Sequence, residues 1–251
     1  MSDVFTQEQH RYLETLVADI GGGPKTAPSG PDAEHLKAMA RTEAEGKKLS
    51  DQEKFKRDEH PLDAYQRMKD LGAGGEYPKP PDNFRFRFHG LFYVAPNQNS
   101  YMCRLRLPNG ILNHWQFDGV ARLAESHGGG YAHVTTRANL QIREIAADKA
   151  VPLLEEIVSL GLTTRGAGAD NIRNVTGSAT AGIDPQEIYD TRAIARDWHF
   201  HILNDRSLIG LPRKFNVAFD GGGAIATLEE TNDIGFQAVE RSEERRVGKE
   251  C

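Results

Sequence analysis

The chain has 251 residues, a formal net charge of −5, 38% hydrophobic residues and 27% charged residues. The acidic balance argues against a general nucleic-acid binder. No apolar run approaches a membrane span and the start "MSDVFTQEQHRY" lacks a secretory core, so a cytoplasmic location is the default expectation. Two cysteines, Cys103 and Cys251, are too few for a disulfide framework, a four-cysteine cluster or a closed zinc site within this chain.

Residues 1–83 are polar and predict a helical arm and linker. "TQEQHRYLETLVADIGGG" opens with a capping-box pattern at Thr6 and Gln9, spaces Leu13, Leu16, Val17 and Ile20 as a helix does, and stops at Gly21. Residues 33–71 are charge-rich with a sparse apolar stripe and read as a solvated helical arm. "LGAGGEYPKPPDN" (71–83) has the composition of a linker.

The texture then changes to alternation. "FRFRFHGLFYV" (84–94) predicts a strand with Phe84, Phe86 and Phe88 on one face and Arg85, Arg87 and His89 on the other. "SYMCRLRLPNG" (100–110) predicts another, with Met102, Arg104 and Arg106 opposite Tyr101, Cys103, Leu105 and Leu107. "HWQFDGVARLAESHGGG" reads as a helix ended by glycines. "VTTRANLQIREI" (134–145) again alternates: Val134, Thr136, Ala138, Leu140 and Ile142 on one face, Thr135, Arg137, Asn139, Gln141 and Arg143 on the other. "DKAVPLLEEIVSLGL" (148–162) is a second amphipathic helix. This order of strand, helix, strand and helix begins a ferredoxin-like α+β sandwich. A glycine-rich connection, "TTRGAGADNIRNVTGSATAGIDP", leads to the helix "DTRAIARDWHFHILND" and the strand "GLPRKFNVAFDGGG". In that strand Lys214, Asn216 and Ala218 share one face, and Phe215, Val217 and Phe219 the other. A short strand, "GFQAVE", follows.

Arg104, Arg137, Arg173, Arg213 and Lys214 each sit where a core-forming element presents its second face, and these faces carry almost no Asp or Glu. A surface sheet mixes acids with bases across strands. Clustered cations without carboxylates point instead to an anionic ligand, and several guanidinium groups suit a planar, multiply charged one. An RNA-binding sheet is a second reading of the same facts, although Phe84, Phe86 and Phe88 lie opposite their strand's arginines. Other signals are weak. His199 and His201 diverge on a helix and make a poor metal pair. "GAGADN" lacks the strand and helix of a dinucleotide site. Cys103 reads as a small buried hydrophobe.

Five stretches, "FRFHGLFYV", "YMCRLRLPNGIL", "HVTTRANLQI", "GADNIRNVTGSATAGIDPQEIYDTR" and "LPRKFNVAFDG", in that order, resemble the ferredoxin-dependent nitrite and sulfite reductases. The resemblance covers roughly residues 84–240. It implies an α+β fold: a ferredoxin-like half-domain over 84–163, then the start of a sirohaem and iron–sulfur domain over 164–240. Members bind sirohaem, an iron tetrapyrrole rich in carboxylates, bridged through a cysteine sulfur to a [4Fe–4S] cluster, and reduce nitrite or sulfite with electrons from a donor such as ferredoxin. Carried over, Arg137, Asn139, Gln141 and Arg213 match sirohaem contacts. Arg104, Arg173, Lys214 and Asn216 match the surroundings of the substrate anion. Sulfite reductases typically read Lys-Phe-Lys where this chain reads "KFN", so the resemblance implies the nitrite branch. Sulfite reductase, the relative that makes a cobalamin precursor, and a non-catalytic anion- or RNA-binding module are the alternatives.

The chain departs from the family in one respect. The family's four cluster cysteines belong to a C-terminal half that is not in this sequence. The expectation is an N-terminal piece that does not reduce nitrite alone, is marginally stable, and exposes Phe215, Val217 and Phe219. The terminal "RSEERRVGKEC" (241–251) continues no strand or helix and reads as a non-native tail.

Overall fold

A computed structural model describes residues 33–94 and 99–240, with Arg11 and Glu14 besides. Apart from Arg11 and Glu14, the helix expected after Thr6 lies outside the described residues, as does the tail 241–251. No helix among them is long and apolar enough to cross a membrane.

The polar leading segment folds as helices α1 (Ala33–Ala44), α2 (Asp51–Asp58) and α3 (Tyr65–Ala73), with a 3-10 turn over Pro61–Ala64. Ser50 caps α2 through its hydroxyl, which accepts the N–H of Glu53 at 3.3 Å. The expectation of a solvated arm does not hold beyond α1. Leu62, Ala64 and Met68 are buried, and Ala64 and Met68 belong to the main hydrophobic core. The sparse stripe suffices because α3 lies close on a later helix: a Cβ at Gly72 would meet the Ala147 carbonyl at 3.3 Å.

Three predicted strands are corrected. Residues 84–89 are helical: α4 (Pro80–Phe86) and a 3-10 turn over Arg87–His89 precede β1, which is only Leu91–Val94. Pro80 and Pro81 preset the helical start, and Gly90 ends it at φ +87°. Helical geometry puts Phe84 and Phe88 together, ring centroids 5.4 Å apart, in a small core with Leu62 and Ile209, and sends Phe86 to the main core. The strand predicted over 100–110 is shorter, β2 being Ser100–Arg104. Leu105 to Leu107 leave the regular ladder, and Pro108–Gly110 form a 3-10 turn. The stretch 134–145 is a hairpin, β3 (Ala132–Val134) and β4 (Leu140–Ile145), turning where Ala138 takes φ +48° and donates its N–H to the Thr135 carbonyl.

Strands β1 to β4 form an antiparallel sheet in the order β1-β2-β4-β3. Helices α5 (His114–His127) and α6 (Ala147–Ser159) cover one face. Leu91, Cys103, Ile142, Leu123, Leu153 and Ile157 meet in that core. Ile142 and Ile145 have opposite parity yet both are fully buried. A bulge with Glu144 at φ +60° shifts the pairing with β2 between them and restores the phase.

The second sheet is parallel, β5 (Ile172–Gly177), β6 (Phe215–Asp220) and β7 (Ile234–Gln237), in that order. β5 lies inside the segment read as a glycine-rich connection. Helix α7 (Arg192–Asn204) packs on this sheet. Val217 and Phe219, expected to be exposed, are buried, and Phe215 is half-buried. Ile202, Ala195 and Trp198 of α7 cover their face.

Candidate anion site

The uncovered face of the antiparallel sheet and the start of the parallel sheet enclose a cavity of about 280 Å³. Arg104 enters from the end of β2, Thr135, Thr136, Arg137 and Asn139 from the hairpin turn, and Gln141 from β4. Ala167, Arg173 and Asn174 line it around the start of β5, and Lys214 and Asn216 around the start of β6. Of the residues singled out from the sequence, Arg104, Arg137, Asn139, Gln141, Arg173, Lys214 and Asn216 therefore meet at one place. Arg213 does not line the cavity: its guanidinium pairs with Asp233 at 2.8 Å and lies over the Phe215 ring.

The partners of each side chain separate supports from open donors. Arg104 stands opposite Gln141 in the β2–β4 register. With the Gln141 amide oriented by its network, its oxygen accepts from Arg104 Nε at 2.9 Å and Nη2 at 3.0 Å. Arg137 clamps the hairpin turn to the parallel sheet: Nη1 donates to Asn232 Oδ1 at 2.9 Å, and Nη2 to the carbonyls of Asn174 and Val217 at 3.0 and 3.1 Å. Asn139 is buried, donating to the Leu105 carbonyl and accepting from the Leu140 N–H. The Asn216 backbone N–H donates to Asp233 Oδ2 at 2.8 Å. Among the described residues the Arg173 guanidinium makes one hydrogen bond, to the Ala167 carbonyl at 3.1 Å. Lys214 is exposed, and its ammonium has no protein partner among the described residues.

Among the described residues four cations line this cavity and no carboxylate does. Burial, with Arg104 and Arg137 nearby, brings the Arg173 pKa down to about 10. Burial and Arg143 lower that of Arg104, and burial lowers that of Arg137. The Nε atoms of Arg137 and Arg173 are buried without a hydrogen-bond partner among the described residues. Cations held together against desolvation and mutual repulsion stabilise a bound anion strongly, because the anion relieves both costs.

Residues 94–160 match the profile of the nitrite/sulfite reductase ferredoxin-like half domain, and residues 168–248 that of the nitrite and sulphite reductase 4Fe-4S domain. The chain belongs to the nitrite and sulfite reductase family. The second match extends into the stretch read as a non-native tail. A ferredoxin–nitrite reductase of Leptolyngbya laminosa is 37% identical over 191 residues, 73% of this chain and 38% of the relative. That of Synechococcus elongatus is 33% identical over 205 residues, 79% and 40%. The structure of the Mycobacterium tuberculosis NirA protein superimposes with a TM-score of 0.65 at 22% identity over 79% of this chain and 39% of that one, a likeness of fold. The chain thus spans about two-fifths of the length of these curated relatives.

Two supports of this cavity were not legible in the sequence. Arg106, grouped with Arg104 by alternation, is 1% exposed. It donates to the carbonyls of Gly166, Ile172 and Arg173 at 2.9, 2.6 and 3.0 Å, and to His199 Nδ1 at 3.2 Å. It thereby shapes the backbone that carries Arg173. Asn174 Nδ2 donates to the Leu107 and Arg137 carbonyls at 2.6 and 2.9 Å and holds the hairpin turn. No local pattern marks either role. His199 is buried and held neutral by burial and by Arg106, whereas His201 is exposed.

Proposed function

We propose that the chain is the N-terminal part of a ferredoxin-dependent nitrite reductase, and that its cationic cavity takes nitrite beside the carboxylates of sirohaem. The observation that carries this reading is the convergence of Arg104, Arg137, Arg173 and Lys214 on one cavity that no carboxylate lines. The domain limits 84–163 and 164–240 and an electron donor such as ferredoxin are parts of the same proposal. So is the nitrite branch, supported by Asn216 in place of a further cation: a monoanion needs less positive charge than a dianion.

The donor set fits the carboxylates of a tetrapyrrole. Arg137, Asn139 and Gln141 hold the hairpin and the strand beneath it in place, and Arg137 and Arg173 keep unpartnered Nε donors. Bound there, sirohaem would supply the iron at which nitrite is reduced. The described residues do not fit the [4Fe–4S] cluster. No group of three His, Cys, Asp or Glu among them is placed to hold a metal. Cys103 is a fully buried core thiol, its pKa raised by desolvation, so no step is assigned to it.

The chain's own residues do two things to the substrate. Arg104 and Arg173 attract nitrite and offset the charge that grows on oxygen as an N–O bond weakens. Lys214 Nζ, without a partner among the described residues, holds a proton at the cavity wall for the departing oxygen. The test is turnover of nitrite and of sulfite by the complete, cofactor-loaded protein with a reduced ferredoxin. A higher kcat/KM for nitrite is expected; a preference for sulfite refutes the nitrite branch. In that protein Lys214→Gln is expected to lower kcat/KM for nitrite at least tenfold with unchanged sirohaem content.

A further inference from the structure

A second cavity, about 410 Å³, adjoins the first and shares Arg173 and Lys214 with it. Its other cationic wall is Arg87, from the 3-10 turn before Gly90. The Arg87 side chain makes no hydrogen bond or ion pair with the described residues, and its Nε is buried without a partner. Two carboxylates line the same space, Glu53 of α2 and Asp170. Either would ordinarily pair with a free guanidinium. Neither does, because both are taken by Lys56, a side chain 1% exposed whose ammonium bonds Glu53 and lies 3.3 Å from Asp170. His35 also contacts Glu53, at 2.9 Å.

Lys56 does more than neutralise. Its ammonium donates to the Leu211 carbonyl at 2.8 Å. It therefore ties α2 to two backbone segments, one three residues before Arg173 and the other three residues before Lys214. The leading polar segment thus forms the outer wall of the space and anchors the two segments that lead into Arg173 and Lys214. Among the described residues four cations within and behind the wall, Arg87, Arg173, Lys214 and Lys56, stand against two carboxylates, Glu53 and Asp170.

We propose that this outer cavity is a second anion subsite, a vestibule in which Arg87 receives a small monovalent oxyanion and from which Arg173 and Lys214 draw it into the inner cavity. The proposal rests on the reading of the inner cavity as a nitrite site and names the route to it. A cation at a cavity mouth raises the local concentration of anions and the rate of their entry, and the effect falls as salt screens it.

The variants are Arg87→Gln and Arg87→Lys, and the probe is sodium nitrite. Its binding to the 251-residue chain is measured by calorimetry, and KM and kcat are measured on the complete, loaded protein at low and high ionic strength. Loss of one such charge is expected to weaken binding and raise KM about five- to tenfold at low salt, the effect falling on KM rather than kcat. The difference should close at high salt, and Arg87→Lys should restore most of it. Nitrite binding and KM that do not respond to Arg87→Gln overturn the vestibule. So does a lysine variant as impaired as the glutamine one, which would show a role of shape and not of charge. Failure of the function reading looks different: the complete protein would turn over no nitrite. The binding comparison on the chain would still decide the subsite.

Discussion

Gly90→Ala isolates one close approach on which the site depends. Gly90 lies at φ +87°, donates its N–H to the Arg87 carbonyl at 3.1 Å, and accepts the Arg104 N–H on its own carbonyl at 2.9 Å. A Cβ there would stand 2.6 Å from Thr164 Cβ, 2.7 Å from the Thr164 carbonyl oxygen and 2.8 Å from that of Arg104. Two backbone segments would have to move. The left-handed conformation costs an alanine about 1 kcal/mol, and forcing extra volume into packed backbone adds about 1–3 kcal/mol. The expected loss is therefore about 2–4 kcal/mol, with Arg104 displaced at the cavity wall. Gly75→Ala is the control, since Gly75 has φ +67° and nothing within 4 Å of its Cβ position. It should lose only the conformational part, about 1 kcal/mol. Urea unfolding of the 251-residue chain, read as a change in midpoint at constant slope, measures both. If Gly90→Ala loses no more than Gly75→Ala, the close approach of Thr164 and Arg104 is not what constrains this position.

Two further effects follow from buried polar groups. Burial brings the pKa values of His60 and His89 down to about 4, helped by Arg206 and Arg165 at His60 and by Arg165 and His60 at His89. His60 Nδ1 accepts the Leu62 N–H and its Nε2 faces the Arg206 carbonyl, so protonation would break the cap of the 3-10 turn. Between pH 6.5 and about 4 the unfolded chain binds more protons, so stability is fully present above this window and falls as pH is lowered through it. The slope is up to about 1.4 kcal/mol per pH unit for each histidine. Urea midpoints between pH 7 and 5 should flatten in His89→Gln; parallel curves for variant and parent would contradict the assignment. Arg106→Met strands the Gly166, Ile172 and Arg173 carbonyls in the interior and is expected to cost about 3 kcal/mol or more. A loss below about 1 kcal/mol in thermal unfolding would show that water replaces the guanidinium.

The helices after residue 110 were legible because their signals are local. The Asn113–Gln116 capping box starts α5, glycines follow it, and α6 keeps its apolar face at helical spacing. The ferredoxin-like order followed from α5, α6 and the stretches that became β2 and β4. The anion site was legible as chemistry, since acid-poor faces with arginines survive any rearrangement of the chain. Its geometry was not legible. Alternation made one strand of 134–145, yet the hairpin turns at Arg137 and Ala138 because Asn174 and the parallel sheet hold it there. Phe84, Phe86 and Phe88 alternate as in a strand, but the Pro-Pro start and separate cores for Phe86 and its neighbours make the stretch a helix. Arg104 and Arg106 have the same parity, and only the packing of the two sheets sends one to the cavity and buries the other beneath Arg173. The sequence by itself determined which charges and which core residues the protein contains. The tertiary structure decided which of those charges remain free to bind an anion, because that depends on the carbonyls and carboxylates that distant segments bring within hydrogen-bond reach.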